Sequence, residues 1–251
     1  LLINSINLAN NISNDQVAFN IKLADFTSRN QLDLNGQYAF TNETSSTLRI
    51  LPSELSIDHQ PWTIRDDFTV FFEKGKAIVN DFALKNGAQE LAISGVISEN
   101  PDDLLKIVCK NLNLETFSQF TKPLNINVSG ILKGNASIGS LLSTPKINAK
   151  MFISNLFYNK TEIGQTVAIS SSWDQKSKQI SFDGNVINNT LKTIDLYGKI
   201  NTNSSDNLDV NLSMNECELK LLEPFVSDIL SDITGTATAN VKLTGSFRKP
   251  I

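Results

Sequence analysis

Residues 105–114 read LKIVCKNLNL, and residues 210–219 read VNLSMNECEL. In the first stretch Leu105, Ile107 and Cys109 fall on one side of a two-residue period, and Leu112 and Leu114 resume on the other parity. In the second, Val210, Leu212 and Met214 alternate before Cys217 and Leu219 restart one step out of phase. A two-residue period is the side-chain rhythm of a β-strand, and one extra residue re-aims every side chain after it. The shared slip therefore predicts a β-bulge at each place.

Alternation extends along most of the chain. Val17, Phe19, Ile21 and Leu23 share one parity, as do Leu32, Leu34, Tyr38 and Phe40. Phe68, Val70 and Phe72 follow, then Ile78, Phe82 and Leu84, then Leu91, Ile93 and Ile97. The pattern returns in Ile147, Met151 and Ile153; Val167, Ile169 and Trp173; Ile180, Phe182 and Val186; and Ile194, Leu196 and Ile200. Asn, Ser, Thr, Asp and Lys fill most positions between, so each strand has one apolar and one wet face, as antiparallel strands do. Short polar linkers such as EKGK, KNGAQ and DQKSK are turn chemistry. About fourteen strands fit, with connections of roughly two to eight residues. Helical spacing is confined to LETFSQF (114–120) and LKLLEPFVSDIL (219–230), two or three turns at most.

The slip belongs to an internal repeat. An offset of 105 pairs Leu105 with Val210, Cys109 with Met214, Leu112 with Cys217, Gly130 with Gly235 and Pro145 with Pro250. Upstream the offset is 103, matching Leu91, Ile93, Gly95 and Ile97 to Ile194, Leu196, Gly198 and Ile200. The repeat is thus read as about 91–146 against 194–251, within one continuous segment spanning 1–251. Units of this kind stack in one dimension. The opening LLINSINL starts in mid-pattern, so the chain reads as a piece of a longer protein, with any targeting signal outside it.

Composition narrows the function. The chain has 251 residues, 40% of them hydrophobic and 19% charged, which argues against disorder. Net charge is −4, and no basic cluster with interleaved aromatics marks a nucleic-acid surface. No apolar run reaches the roughly 18 residues of a membrane helix. His59 is the sole histidine and sits in IDHQPW, a turn context, so neither a nucleophilic triad nor a metal centre is expected. Asp66–Asp67 and Asp102–Asp103 read as solvated turn carboxylates. Cys109 and Cys217 lie on apolar parity as small buried hydrophobes. Catalytic residues, metal and cofactor are all expected to be none.

An apolar face on every strand must be covered, by a second sheet, by closure into a barrel, or by bending the sheet into a trough. Periodicity leaves these three open. The stretch SGILKGNASIGSLLSTPKINAKMFISNL (129–156), its echo TGTATANVKLTGSFRKPI (234–251) and KAIVNDFALKNGAQELAISGVIS (76–98) resemble the TamB-like translocation and assembly module family, part of the AsmA-like group. One departure is Ala149, where many members carry Gly shortly after the Pro.

The resemblance implies an all-β fold. It is a long, curled, mostly antiparallel repeat sheet, the β-taco, with an open hydrophobic groove and one or two short helices. About fourteen strands spaced about 4.8 Å apart make a trough on the order of 65 Å long. The resemblance also implies phospholipid transport between the inner and outer membranes and residence in the periplasm. Anchoring in the inner membrane lies outside this chain, and an Omp85-type outer-membrane barrel is the implied partner. The candidate groove lining is Phe19, Ile21, Phe68, Phe72, Phe82, Ile93, Ile107, Ile153, Phe182, Leu196 and Leu212. Alternatives are a scaffold for outer-membrane protein assembly and a ligand-free, adhesin-like β-sandwich, in which the same residues pack as core.

Overall fold

The computed structural model of the chain describes residues 3–13, 15–66, 68–121, 126–159, 161–201, 207–222, 233–246 and 249–250. The fold is all-β and antiparallel, and the chain divides into two compact units. The first comprises Leu1–Leu112 with Ser137–Pro145, the second Asn113–Ala136 with Lys146–Ile251.

The first unit contains β1 (Ile3–Ser13), β2 (Gln16–Asp25), β3 (Gln31–Asn42), β4 (Ser45–Ile50), β5 (Glu54–Ile57), β6 (Gln60–Ile64), β7 (Thr69–Glu73), β8 (Lys76–Asn86), β9 (Gln89–Ser98) and β10 (Leu104–Asn113). It is an up-and-down meander. β4 and β5 together pair with β3, and β7 and β6 together pair with β8. The described strands outnumber the fourteen expected, in part because two long lanes are each broken in two. Pro52 has no N–H to give the ladder and lies in the first break, at 51–53. The second break, at 65–68, lies beside it, bridged where Ile50 N–H donates to Phe68 O at 3.0 Å.

The slips line up across the sheet. In the next lane the β8–β9 register shifts between Val79 and Phe82, where Asp81 takes φ 54°. On β9, Gly95 has φ 116°, and a Cβ there would lie 2.1 Å from Leu104 O, so only glycine fits. Bulges bend a strand and increase its twist, and this row forms a crease across neighbouring lanes. It also corrects one expected face. Ile78 pairs with Val96, whereas Phe82 pairs with Ile93, so Ile78 lies opposite to Phe82 and Leu84 instead of beside them.

The second unit contains the start of β11 (Val128–Gly139), then β12 (Lys146–Tyr158), β13 (Thr161–Asp174), β14 (Gln179–Asn188), β15 (Leu191–Asn201), β16 (Leu208–Glu218), β17 (Thr236–Ser246) and β18 (Lys249–Pro250). Register shifts at Val186/Ile187 and Met214/Cys217 fall at one level, Val186, Ile194 and Met214 sharing a row, while a further shift at Leu156/Phe157 lies about three residues closer to the level of the β14–β15 turn. The Met214/Cys217 shift is the slip seen in VNLSMNECEL. Glu216 takes φ 45°, and Met214 and Cys217 face Ala239 and Ala237 on the same side of β17. Asn111 in LKIVCKNLNL takes φ 48°, with Cys109 and Leu112 both buried. The bulge thus keeps both parities on the apolar face.

Two-residue turns follow the sequence chemistry: Asp58–His59 and Asn189–Thr190 have both φ values positive, as tight hairpins need. The first helical stretch forms about two short turns, as expected, and the second is described only at its start. A 3₁₀ turn at Leu114–Phe117 runs into one α-turn, Ser118–Thr121, and a second 3₁₀ turn spans Leu219–Leu222 against β13, with Leu221 buried. Phe225, Val226 and Ile229 of the second helical stretch lie outside the described residues. Among the described residues no helix is long and apolar enough to cross a membrane.

Left-handed φ costs an ordinary residue roughly 1–2 kcal/mol that glycine does not pay. Glu216→Gly is therefore expected to leave the urea midpoint unchanged or raised, whereas deleting Glu216, which turns Cys217 to the wet face, is expected to lower the midpoint, a loss of about 2 kcal/mol or more in unfolding free energy. Equal midpoints for the two variants would show that the bulge does not set the face.

Candidate functional site: a one-sided apolar face

Directly opposed residues of antiparallel strands lie on the same face of a sheet, so the register lists which candidates meet. In the first unit Phe19 faces Gly36 and Ile21 faces Leu34. The row continues from Gly36 to Ile50, and the next from Tyr38 to Leu48, Val70 and Val79. Ser46 faces Phe72, Phe82 faces Ile93, and Ile93 faces Ile107. Phe68 joins this face because its ring meets that of Phe82 edge-on, 5.1 Å between centroids. In the second unit Ile153 faces Val167 and Val167 faces Val186. Phe182 faces Gly198, Gly184 faces Leu196, and Leu196 faces Leu212. Within each unit, the candidates named from sequence therefore share one face.

Their burial is uniform: every one is half-buried. Other side chains on the same faces are more deeply packed. Trp62 is 2% exposed and Ile50 3%, with Ile57, Ile64 and Leu84 also buried. The sequence reading passed over Ile50, Ile57, Trp62 and Ile64. The signal was there as three short pairs, Leu48/Ile50, Leu55/Ile57 and Trp62/Ile64, too short to read as strands because the breaks interrupt them. At the other extreme Ile169, Val241 and Leu243 on the face of the second unit are 46%, 39% and 37% exposed. The candidate surface is a shallow, accessible apolar face. A depression in the first unit, about 680 Å³ around Lys22, Asp33, Glu54 and Trp62, includes none of the candidate residues.

Two aromatic rings are laid flat by the same device. A Cβ at Gly36 would come 2.3 Å from Phe19 Cζ, and one at Gly198 would come 3.0 Å from Phe182 Cζ. Each ring occupies the space over a glycine on the neighbouring strand, where it covers the backbone instead of standing up from the sheet.

The opposite face of the first unit is charged. Register carries one row from Lys22 to Asp33, Glu54, Thr63, Lys85, Glu90 and Lys110. Lys22 pairs with Asp33 at 2.7 Å, and Glu90 with Lys110 at 2.7 Å and Lys85 at 3.5 Å. The hydrogen bond from Lys22 holds the Asp33 carboxyl below its usual range, and that from Lys110 does the same for Glu90. These pairs support the register above the ordinary carboxylate pKa, and that support is lost as pH falls through the depressed values.

Chemistry beyond apolar contact is sparse among the described residues. No three His, Cys, Asp or Glu side chains are grouped to hold a metal. His59 is a turn residue whose N–H donates to Arg29 O at 2.8 Å. Cys109 and Cys217 are free and buried, and desolvation pushes both thiols up.

The family model for the N-terminal domain of TamB matches residues 2–251. No curated protein and no solved structure gives a significant match.

Adding a methyl at Gly36 must lift the Phe19 ring. Gly36→Ala is expected to cost about 1–3 kcal/mol in urea denaturation, and markedly less in a Phe19→Leu background. Additive losses in the two backgrounds would show that the ring does not depend on the glycine.

Proposed function

The chain belongs to the TamB family, and on that premise we propose that it is a segment of a periplasmic hydrophobic groove along which phospholipids pass between the inner and outer membranes, a conduit and not a catalyst. The observation that carries this reading is the half-burial of Phe19, Ile21, Phe68, Phe72, Phe82, Ile93, Ile107, Ile153, Phe182, Leu196 and Leu212 on continuous apolar faces. Fully burying one such side chain contributes about 1.5–3 kcal/mol. A half-buried one leaves part of that gain uncollected, and an acyl chain collects it. Each acyl CH₂ removed from water adds about 0.8 kcal/mol in turn. Successive strands offer similar apolar rows, so a chain sliding from one to the next crosses little free-energy difference while its head group stays in water. In the proposed arrangement, inner-membrane anchoring comes from outside this chain and an Omp85-type barrel is the outer-membrane partner.

A second reading, a scaffold for nascent outer-membrane β-proteins, has one observation in its favour. β1, INSINLANNIS, carries no charge and no proline of the kind that discourages strand addition.

Photo-crosslinkers placed at Ile93 and Phe182 in the full-length protein in cells are expected to yield phospholipid adducts; protein adducts alone would favour the scaffold. Leu196→Asp sets a carboxylate on the apolar path and is expected to lower lipid passage about tenfold or more with little change in the urea midpoint. Unfolding of this variant, with no lipid adduct at either probe, would identify the face as a packed core and overturn the conduit.

A further inference from the structure

The apolar face of the second unit ends in a chemically mixed border. The last apolar row before the β13–β14 turn runs from Trp173 to Ile180, Ile200 and Leu208. One step further the register reaches Asp174 and Gln179, and the chain turns through Gln175, Lys176, Ser177 and Lys178. Trp173 is half-buried, with its indole directed toward the turn: Nε1–H donates to Gln175 Oε1 at 3.1 Å. The same oxygen accepts from Lys146 Nζ at 3.3 Å, and that ammonium stands 5.3 Å from the centre of the Trp173 ring. Hydrocarbon, indole, amide and ammonium are thus grouped at the end of the apolar face, the same set of polarities that a phospholipid presents between tail and phosphate.

The charge at this border is one-sided in its availability. Several lysines elsewhere are matched: Lys22, Lys76, Lys85 and Lys110 pair with carboxylates in the first unit, and Lys192 and Lys242 in the second. Lys146 and Lys176 have no carboxylate partner within salt-bridge distance among the described residues. Asp174, the nearest acid in the turn, is committed to the backbone. It accepts from the N–H of Lys176 at 2.8 Å and of Ser177 at 3.3 Å, which hold its carboxyl below the usual range, with a smaller contribution from Lys199. Lys199 and Asp209 face each other two lanes away, and Asp209 is bridged by Lys242 at 3.4 Å. Lys146 keeps two of its three ammonium protons free of Gln175.

We propose that Trp173, Gln175, Lys146 and Lys176 form a head-group seat that selects lipids carrying a net anionic phosphate over zwitterionic ones. The seat rests on the conduit reading, since it needs an acyl chain on the adjoining apolar rows. Indole rings favour such a border because one edge is apolar and the other donates a hydrogen bond. Lysines beside an anionic lipid surface each strengthen attachment, enough for two of them to give a preference of about tenfold.

The test measures binding of the chain to two lipids with identical short acyl chains, phosphatidylglycerol and phosphatidylcholine, and to glycerol 3-phosphate. Expected are about tenfold tighter binding of phosphatidylglycerol, no preference in the double variant Lys146→Gln/Lys176→Gln, and an unchanged preference in Lys133→Gln/Lys220→Gln, which removes equal charge elsewhere. Glycerol 3-phosphate is expected not to compete at matched concentration, because it lacks the tail. Equal binding of both lipids by the unaltered chain, or the same preference in both double variants, would overturn the seat while leaving the conduit standing. Failure of both lipids to bind would sink the conduit itself, and competition by glycerol 3-phosphate would make the site a receptor for free phosphate.

Discussion

The antiparallel ladder of each unit holds apolar side chains on one face while tolerating an extra residue at intervals. Backbone hydrogen bonds demand that every strand keep its partner, and hydrophobic burial demands that every greasy side chain point one way. A regular strand meets both only while its polar and apolar residues alternate without error. Where they do not, as at Glu216 and Asp81, the backbone takes a left-handed residue, and the side chains beyond it return to the required face. The unfavourable φ is local, and the apolar burial it preserves extends over the rest of the strand.

Because slips in neighbouring lanes occur at one level, they act together. In the first unit the breaks at 51–53 and 65–68, the bulge at Asp81 and Gly95 cross the sheet as one line. A sheet interrupted in this way gains twist there. Burial differs within the same unit: Ile57, Trp62, Ile64 and Leu84 are packed, while Phe19, Ile21, Phe72 and Ile107 remain half-open. Packing gives the unit its stability, and the half-open residues leave an accessible apolar surface beside it.

The polar side is organised as closely as the apolar one. The row from Lys22 to Lys110 alternates charge in register, except where Asp33 and Glu54 adjoin; the ion pair from Lys22 offsets that repulsion. Exposed pairs of this kind contribute little individually. A slip by one residue, however, would bring these charges onto the apolar face, so the row works against wrong register as much as for the right one.

Much of this was legible in the chain itself. Alternation in Val17–Leu23 or Ile194–Ile200 requires a strand with one apolar face, because side chains of a strand project with period two whatever surrounds them. The displaced phases of LKIVCKNLNL and VNLSMNECEL announce an inserted residue for the same reason. Tertiary structure alone decided the rest. Ile78 shares parity with Phe82 yet lies on the other face, because the bulge between them is a property of pairing with β9. Trp62 and Ile64 stand in a lane too fragmented for periodicity, and only their neighbours β5 and β8 make them core. Side-chain direction is a local consequence of backbone geometry, whereas register, burial and the meeting of Lys146 with Trp173 depend on which distant strand lies alongside.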